Sequence, residues 1–558
     1  MQIGNLVLIS PALIASVAAM LVLMFGVVAA KRPGKGLDHW FAAQHIAPAF
    51  TAVAAFAAAY LLAIELRAIG SGTFDPNVVG LFVVNGHAQL TVDPFAAIFS
   101  FIAFAGTLVV MILSLDHFGE DQIHKAEYYS LLMFAAVAAS LAAAASDLIA
   151  IYLSIEFLSL VSYVLAAYSK TDRRSAEAGL KYFLYGAACS AVMLYGMSIL
   201  FGLTGGNTAL SAIAQGFRGG PAASAAGWVA VMFMLVGLGF KLALVPFHFW
   251  APDTYEGAPT PITAFLSVVS MAAGLAVVIR FLTVIGSPSA PAAYMWYWML
   301  VVLTAISMFY GNMVAIWQRN IKRMLAYSSI AQVGYLMIGV LTAMNSFAAN
   351  APLSRAAQGH ALVWSSALTE VSSDRPGSVR FDSAAPWDLP GVLIYVFAYL
   401  LMNLGAFAVV VAVGRRLKSN DISSYAGLMR RAPLMASALA VFLVSLAGVP
   451  PTAGFLGKWF IFGGAIMTGL VNRPELIVLA VLGVVNSVIS AYYYLNVVRL
   501  MFFTQGESKC AIVCPFAMNA VVAVLLILTI AVLVFANPVS QVALKSVYSA
   551  SLGLPTWP

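Results

Sequence analysis

Three ionisable side chains, Glu156, Lys241 and Lys458, stand inside apolar stretches long enough to cross a membrane. A charged group near the centre of a bilayer costs at least about 2.5–3.5 kcal/mol on insertion scales, so such residues are retained for a reason. Serine hydroxyls flank Glu156 and can hydrate a buried carboxylate. An ion pair used purely to hold helices together rarely repays its desolvation. The three residues therefore predict a proton path, with structural pairing as the alternative.

Both lysines lie close to residues that interrupt a helix. Lys241 precedes Pro246, and Lys458 follows Pro450 and Pro451. A proline removes a backbone hydrogen bond, which leaves carbonyl groups free for water or for a lysine. The proton affinity of a lysine responds to burial and to a nearby carboxylate, so a small movement can load or unload it. Two interrupted helices, one in each half of the chain, indicate an inverted-repeat transporter.

Two further residues extend this path. Lys181 stands near the start of its apolar segment and can link Glu156 to Lys241, or it can extend its amine to the membrane surface. His248 follows Lys241 by seven residues, which is two turns along one face of an unbroken helix, and an imidazole passes protons near neutral pH. The alternative for His248 is a structural hydrogen-bond donor. The predicted relay contains Glu156, Lys181, Lys241, His248 and Lys458.

The composition indicates a membrane protein. The chain has 558 residues, of which 62% are hydrophobic and 9% charged, whereas an ordinary soluble domain has about 25% charged residues. A helix needs roughly 20 apolar residues to cross the hydrocarbon layer, and such stretches recur along the chain without room for a soluble catalytic domain. The net charge of +7 is expected where loops face the cytoplasm, so it does not indicate nucleic-acid binding.

The apolar segments predict an all-α, polytopic fold of about fourteen transmembrane helices. The twelfth segment is too long for one crossing and contains Pro450 and Pro451, so we interpret it as two half-helices. The seventh is also expected to break, at Pro246. We place the helices at 5–29, 44–66, 93–115, 127–145, 148–168, 180–203, 227–250, 262–285, 295–317, 321–345, 391–414, 433–470, 475–503 and 517–537.

These helices predict four parts of the chain. Residues 1–115 hold helices 1–3, residues 127–285 form a first inverted repeat of helices 4–8, residues 295–503 form a second of helices 9–13, and residues 517–537 form helix 14. A polar segment at about 350–390 is predicted to be an external insertion. Lys and Arg concentrate in alternate loops, which the positive-inside rule assigns to the cytoplasm. Both termini are therefore predicted to be periplasmic, in a multi-pass protein of the inner (plasma) membrane.

We predict no redox cofactor or metal for this chain. Its three cysteines, Cys189, Cys510 and Cys514, form no CxxC pair and are too few for an iron–sulfur cluster. No phosphate-binding glycine loop, nucleophile elbow or metal-ligand cluster stands out. Any electron carriers are therefore expected in other proteins.

Several longer motifs resemble the antiporter-like membrane subunits of respiratory complex I, NADH:quinone oxidoreductase. The run at 240–261 carries Lys241, Pro246 and His248 and ends in Gly-Ala-Pro-Thr-Pro. This ending is similar to the N-type subunit, called subunit 2 in mitochondria and B in the photosynthetic relatives, more than to the L or M types. Further matches lie at 322–332, 399–403 and 448–458. The resemblance covers about residues 90–505.

The resemblance implies a fourteen-helix fold with Glu156 as the fifth-helix carboxylate, Lys241 as its seventh-helix partner and Lys458 as the twelfth-helix lysine on the exit side. It implies proton movement coupled to quinone reduction elsewhere in the complex, with FMN, iron–sulfur clusters and quinone in other subunits. M-type and K-type subunits of the membrane arm would be its neighbours. Met271 stands where this family usually has a lysine, and a thioether cannot carry a proton.

Three function classes stay open at this point. We expect a proton-translocating subunit of complex I, which is an enzyme subunit without a redox centre of its own. A subunit of a multisubunit cation/proton antiporter shares the fold, but the Gly-Ala-Pro-Thr-Pro loop favours complex I. A non-conducting scaffold is the third class, and Met271 supports it. Retention of Glu156, Lys241 and Lys458 favours conduction over a scaffold.

Overall fold

The structure is a computed structural model, and it describes residues 3–30, 48–64, 79–84, 87–118, 125–217, 220–285, 293–348, 389–471, 473–505, 512–534 and 543. Within these residues, twelve helices are long and apolar enough to cross a membrane. Shorter apolar helical stretches lie at Ser10–Met24, Pro48–Ile64 and Pro433–Ala447. The predicted all-α, polytopic membrane fold is confirmed.

The helices follow the predicted order along the chain. They are α1 (Ile3–Ala30), α2 (Pro48–Ile64), α3 (Pro94–His117), α4 (Lys125–Ala144), α5 (Leu148–Ala166), α6 (Arg173–Leu203), α7 (Leu210–Phe217), α8 (Ala225–Leu242), α9 (Trp250–Gly257), α10 (Thr260–Phe265), α11 (Met271–Ile285), α12 (Ala293–Ile316), α13 (Ile321–Ala348), α14 (Leu389–Leu417), α15 (Leu428–Arg431), α16 (Pro433–Ala447), α17 (Ala453–Val471), α18 (Pro474–Phe503) and α19 (Phe516–Val534). Each predicted segment overlaps at least one of them. The exact number of crossings and the division into inverted repeats stay predictions.

The chain leaves the helical conformation at both predicted proline sites. The first separates α8, which ends at Leu242, from α9, which begins at Trp250. The second separates α16, which ends at Ala447, from α17, which begins at Ala453. Gly448 follows α16 with a φ of 81°, a left-handed conformation that glycine adopts at little cost. Both interruptions predicted from the prolines are confirmed.

A wide turn follows the first break. Leu266–Ser270 is a π-helical turn between α10 and α11, and the whole rod Thr260–Thr283 is buried inside the bundle. Such turns accommodate one extra residue and occur often at functional sites. Met271, where a lysine was expected, is the first residue of α11 and is buried. The expected lysine position therefore directly follows the π-helical turn.

A short hairpin precedes α3. Strands β1 (Val79–Val84) and β2 (His87–Val92) pair antiparallel, with Val79 opposite Val92. The all-α prediction omitted it because six-residue strands are too short to register among membrane-length apolar segments. The predicted insertion at 350–390 falls outside the described residues up to residue 388, and Leu389 already begins α14.

A buried ion pair joins α11 to α3 and α4. The Arg280 guanidinium donates through Nη2 to Asp93 Oδ1 at 2.6 Å and through Nε to the Ala143 carbonyl at 2.7 Å. Asp93 Oδ1 also accepts from the Ala96 amide at 2.7 Å, which caps the start of α3. Arg280 further lies over the Phe95 ring, 4.8 Å from its centroid. These contacts fix the α11 end of the rod that follows the π-helical turn.

Candidate functional site

Lys241 reaches from α8 to the helix that carries Glu156. Its Nζ donates to Ser159 Oγ at 3.0 Å, and Ser159 lies three residues after Glu156 on α5, hence on the same face. The Ser159 hydroxyl donates its own proton to the Ile155 carbonyl at 2.8 Å, which leaves its lone pairs for the lysine. On α11, a Cβ at Gly274 would come within 2.9 Å of Lys241 Cγ. Glycine there gives the lysine stem its room.

Glu156 has a partner on the neighbouring helix. Ser190 of α6 donates from Oγ to Glu156 Oε2 at 2.7 Å. The carboxylate is half-buried, while Leu153 and Phe157 on the same helix are exposed at the apolar outer surface of the chain. Lys241 of α8 and Ser190 of α6 therefore both contact α5 beside Glu156, the lysine through Ser159 and the serine through the carboxylate itself.

Lys458 of α17 extends its amine back to the second break. Its Nζ donates to the carbonyls of Leu446 at 3.2 Å and Ala447 at 3.1 Å, and to Ser487 Oγ of α18 at 3.2 Å. The residues four places after these two carbonyls are prolines, which have no N–H to donate. The ammonium also lies 4.4 Å from the centroid of the Tyr335 ring, a cation–π distance. The prolines thus free the oxygens that the lysine uses.

Lys181 contacts carboxylates at one end of the bundle. Its Nζ lies 2.8 Å from Asp253 Oδ2 and 2.9 Å from Glu177 Oε1, and its side chain is 40% exposed. Arg323 Nη1 lies 2.7 Å from Asp253 Oδ1 and 2.9 Å from Glu256 Oε2. We call these five residues the ionic end. The structure does not place Lys181 between the buried glutamate and lysine, and its part in the relay stays a prediction.

Asp253 holds the ionic end together, which leads to a stability prediction. Burial raises the pKa of Asp253, but the hydrogen bond from Lys181 and the charge of Arg323 outweigh it and lower the pKa below its ordinary value. A lowered folded-state pKa stabilises the fold above the unfolded-state pKa, and this stability is lost as pH falls through the folded-state pKa.

We expect Asp253→Asn to destabilise the fold by about 1 kcal/mol at pH 7, because the pairs are partly exposed and screened. The difference from the unsubstituted protein should shrink as pH falls below about 4. Thermal unfolding of the detergent-solubilised protein at both pH values measures it. The exposed carboxylate of Asp421 gives the control, Asp421→Asn. Equal melting temperatures at pH 7 for Asp253→Asn and the unsubstituted protein would contradict the prediction.

His248 is buried in the first break. Its ring lies 4.5 Å from that of Phe249 and 4.7 Å from that of Tyr310, measured between centroids. Among the described residues, neither ring nitrogen has a hydrogen-bond partner. The chain between Lys241 and His248 is not a continuous helix, so the two-turn spacing does not apply. The relay role of His248 stays a prediction.

Lys322 is a buried lysine that the sequence analysis gave no role. It is the second residue of α13, and its Nζ donates to the carbonyls of Glu256 at 2.8 Å and Ala258 at 2.6 Å. A lysine at these carbonyls stabilises the C-terminal end of α9. Its place in the 322–332 motif was the available signal.

A line of polar side chains crosses the centre of the bundle. Four of its five members lie in the 322–332 and 399–403 motifs, to which the sequence analysis gave no chemical role. Asn403 Nδ2 donates to Ser267 Oγ of the π-helical turn at 3.0 Å and to Tyr399 OH at 3.0 Å. Tyr399 OH and Ser329 Oγ are 2.8 Å apart. Gln332, one turn along α13, donates at 3.1 Å to the α16 carbonyl that the second buried lysine also uses. We call these five residues the central line.

The described residues contain no group of three or more His, Cys, Asp or Glu that could hold a metal ion. Membrane-length helices, two of them interrupted beside buried lysines, define a polytopic membrane protein with ionisable groups inside the helix bundle. A family model described as "NADH:quinone oxidoreductase/Mrp antiporter, TM" matches residues 145–362 and 382–490. The chain belongs to this family of transmembrane subunits.

Similar proteins confirm the resemblance to N-type subunits. NADH-quinone oxidoreductase subunit N of Desulfitobacterium hafniense is 39% identical over 459 residues, which cover 82% of this chain and 85% of that protein. The chloroplastic NAD(P)H-quinone oxidoreductase subunit 2 of Chaetosphaeridium globosum is 36% identical over 485 residues, covering 84% and 86%.

Solved structures agree with this assignment. A chain of respiratory complex I from Thermus thermophilus with bound aureothin matches with a TM-score of 0.69 and 28% identity, covering 94% of this chain and 97% of that one. A chain of the Mrp complex from Dietzia sp. DQ12-45-1b matches with a TM-score of 0.73, covering 96% and 98%, and at 17% identity it shows the fold alone.

Proposed function

We propose that this chain is a proton-translocating membrane subunit of a complex I-type NADH:quinone oxidoreductase. The observation that carries the proposal is the pair of buried lysines at the helix breaks, Lys241 at 2% and Lys458 at 3% exposure. Both donate to neutral oxygen atoms, those of a serine in the first site and of two carbonyls and a serine in the second. Small changes around such a lysine can change whether it holds its proton.

In the first half of the path, Glu156 and Lys241 form the coupled pair. Ser159 lies between their helices and already accepts from Lys241, so a small displacement of α5 or α8 would change the distance between carboxylate and amine. Charge interactions are strong in a low-dielectric interior. A rearrangement driven by quinone reduction elsewhere in the complex would therefore change the proton affinity of Lys241.

In the second half, Lys458 would release the proton toward the outside. The central line extends from the π-helical turn to Ser329, and Gln332 one turn further along α13 contacts the carbonyl that Lys458 uses, which supports transfer between the halves. The ionic end, including Lys181, would supply protons from the cytoplasmic side. His248 would accept and release protons through its ring nitrogens, neither of which has a hydrogen-bond partner among the described residues.

The similarity to subunits of quinone oxidoreductases supports a place in a quinone-reducing complex. There the chain would pack against M-type and K-type subunits of the membrane arm, in the inner (plasma) membrane with both termini periplasmic. FMN, iron–sulfur clusters and quinone would belong to other subunits. A cation/proton antiporter subunit is the second candidate, because the family model and the Mrp structure cover both kinds of complex.

Lys458→Ala is the test of the exit side. We expect the number of protons moved per quinone reduced to fall to the level contributed by the other subunits, because the alanine has no group that can hold the proton. Inverted membrane vesicles containing the assembled complex, a pH-sensitive dye and NADH oxidation measure both quantities together.

The control for this substitution is Lys170→Ala, which removes an exposed lysine and should leave the proton ratio unchanged. An unchanged ratio in Lys458→Ala would leave the scaffold as the better description. Proton movement that depends on a sodium gradient and not on quinone reduction would identify a cation/proton antiporter instead.

A further inference from the structure

Three hydroxyl groups close to the first break are buried without a hydrogen-bond partner among the described residues. They belong to Tyr163 of α5, Tyr182 of α6 and Ser270 of the π-helical turn, whose side chains are 6%, 0% and 1% exposed. An unpaired buried hydroxyl costs about 1–3 kcal/mol, and buried polar groups in native proteins are nearly always paired with protein or with ordered water. Three such groups together indicate a buried site for water.

The three hydroxyls form a row that starts at the first lysine site. Ser159, which accepts from Lys241, lies close to the Tyr163 hydroxyl but does not meet hydrogen-bond geometry with it. The rings of Tyr163 and Tyr182 meet edge to face, with centroids 4.7 Å apart. Ser162 and Ser270 lie close to the Tyr182 hydroxyl, again without hydrogen-bond geometry. The row therefore leads from Lys241 to the π-helical turn.

Packing holds the two tyrosines in place. Tyr182 stacks on Trp250 of α9, with centroids 4.2 Å apart and rings 13° from parallel. The Tyr163 hydroxyl lies against Gly186 of α6, where a Cβ would come within 1.9 Å of its oxygen. Any side chain at residue 186 would displace this hydroxyl. Glycine at residue 186 therefore leaves room for the Tyr163 hydroxyl itself, which has no hydrogen-bond partner among the described residues.

We propose that Tyr163, Tyr182 and Ser270 bind ordered water molecules and that this row passes protons from Lys241 to the π-helical turn, in place of a lysine at Met271. The inference rests on the proposed function. Each oxygen in the row accepts one proton and releases another to its neighbour, so O–H bonds alone form and break, and no oxidant or reductant is needed. From the turn, Ser267 and the central line continue toward the second half.

Radiolytic footprinting tests the water directly in the assembled complex. Short X-ray pulses convert bound water into hydroxyl radicals, which oxidise the nearest side chains, and mass spectrometry locates the products. We expect Tyr163 and Tyr182 to be oxidised faster than Tyr128 and Tyr494, which are also buried but have hydroxyl partners on serines. Equal rates in the two pairs would overturn the proposal, and this measurement needs no substitution.

Substitutions test the proton path. We expect Ser270→Ala and Tyr182→Phe each to lose the same share of proton translocation as Lys241→Ala, while quinone reduction continues. Ser270→Thr keeps a hydroxyl and should keep the flux, and Met271→Lys should restore the flux in the Ser270→Ala background. The control is Ser140→Ala, which removes a buried hydroxyl already paired with that of Ser100 at 2.7 Å.

Full proton flux in both Ser270→Ala and Tyr182→Phe would overturn the row. If Lys241→Ala nevertheless stopped the flux, the proposed function would stand without this path. If Lys241→Ala also left the flux unchanged, the proposed function itself would fail. If a variant does not assemble, the footprinting result on the unsubstituted complex decides by itself whether water is bound at this site.

Discussion

Lys241→Ala stops the share of proton translocation that belongs to this subunit, and NADH continues to reduce quinone in the assembled complex. The substitution removes the amine that Ser159 accepts from, and no other amine of the described residues bonds to that hydroxyl. Loss of a positioned proton-transfer group typically slows the transfer by about 10²-fold or more. Proton uptake and NADH oxidation, recorded together in inverted vesicles, give the ratio of protons to electrons.

Further variants separate the loss of the Lys241 amine from the loss of its packing. Lys241→Met keeps most of the volume of the buried stem that packs against Gly274 and should lose the flux as completely as alanine does. Lys170→Ala removes a lysine at the surface and should change nothing. Met271→Lys shows whether the missing lysine limits the rate. Unchanged pumping in both Lys241 variants would refute the proton-channel assignment and favour a scaffold.

Asp93→Asn unfolds or severely weakens the protein, with an expected loss of about 3–5 kcal/mol, because Arg280 is left buried without its anion. Asparagine is also a good helix N-cap, so this substitution tests the ion pair separately from the cap of α3. Assembly yield and the thermal unfolding midpoint of the solubilised protein measure the effect. Leaving Arg280 unpaired should also release α11 from α3 and α4.

The design includes a compensating variant and a surface control. Asp93→Asn combined with Arg280→Met removes both charges and should recover much of the lost stability. Asp116→Asn breaks the pair with Arg415, which at 2.7 Å is just as short but partly exposed, and should cost about 1 kcal/mol or less. If Asp93→Asn were as mild as Asp116→Asn, the buried pair would not be a major support of the fold.

Local sequence features were sufficient for much of the architecture. Stretches of about 20 apolar residues are recognisable without knowing their neighbours, and every predicted segment overlaps a helix. Pro246, Pro450 and Pro451 lack the N–H that a helix requires, so both breaks followed from residue type alone. The β1–β2 hairpin was missed because its strands are short.

The candidate site was predicted less completely than the helices. Burial of Lys241 and Lys458 followed from the apolar residues around them, whereas their hydrogen-bond partners did not. Lys181 was considered as a link to the buried glutamate, but its partner Asp253 lies 72 residues further along the chain. Lys322 was given no role, because its burial against α9 depends on how the helices pack.

By itself, the sequence determined that this is a polytopic membrane protein of the complex I and Mrp antiporter family with lysines beside two broken helices. Hydropathy, proline positions and motifs are properties of contiguous residues, so they can be recognised without knowing the fold. The tertiary structure alone decided which side chains meet, such as Arg280 with Asp93, 187 residues apart. It also decided that Tyr163, Tyr182 and Ser270 share one buried region, because helix packing sets the direction in which each hydroxyl points.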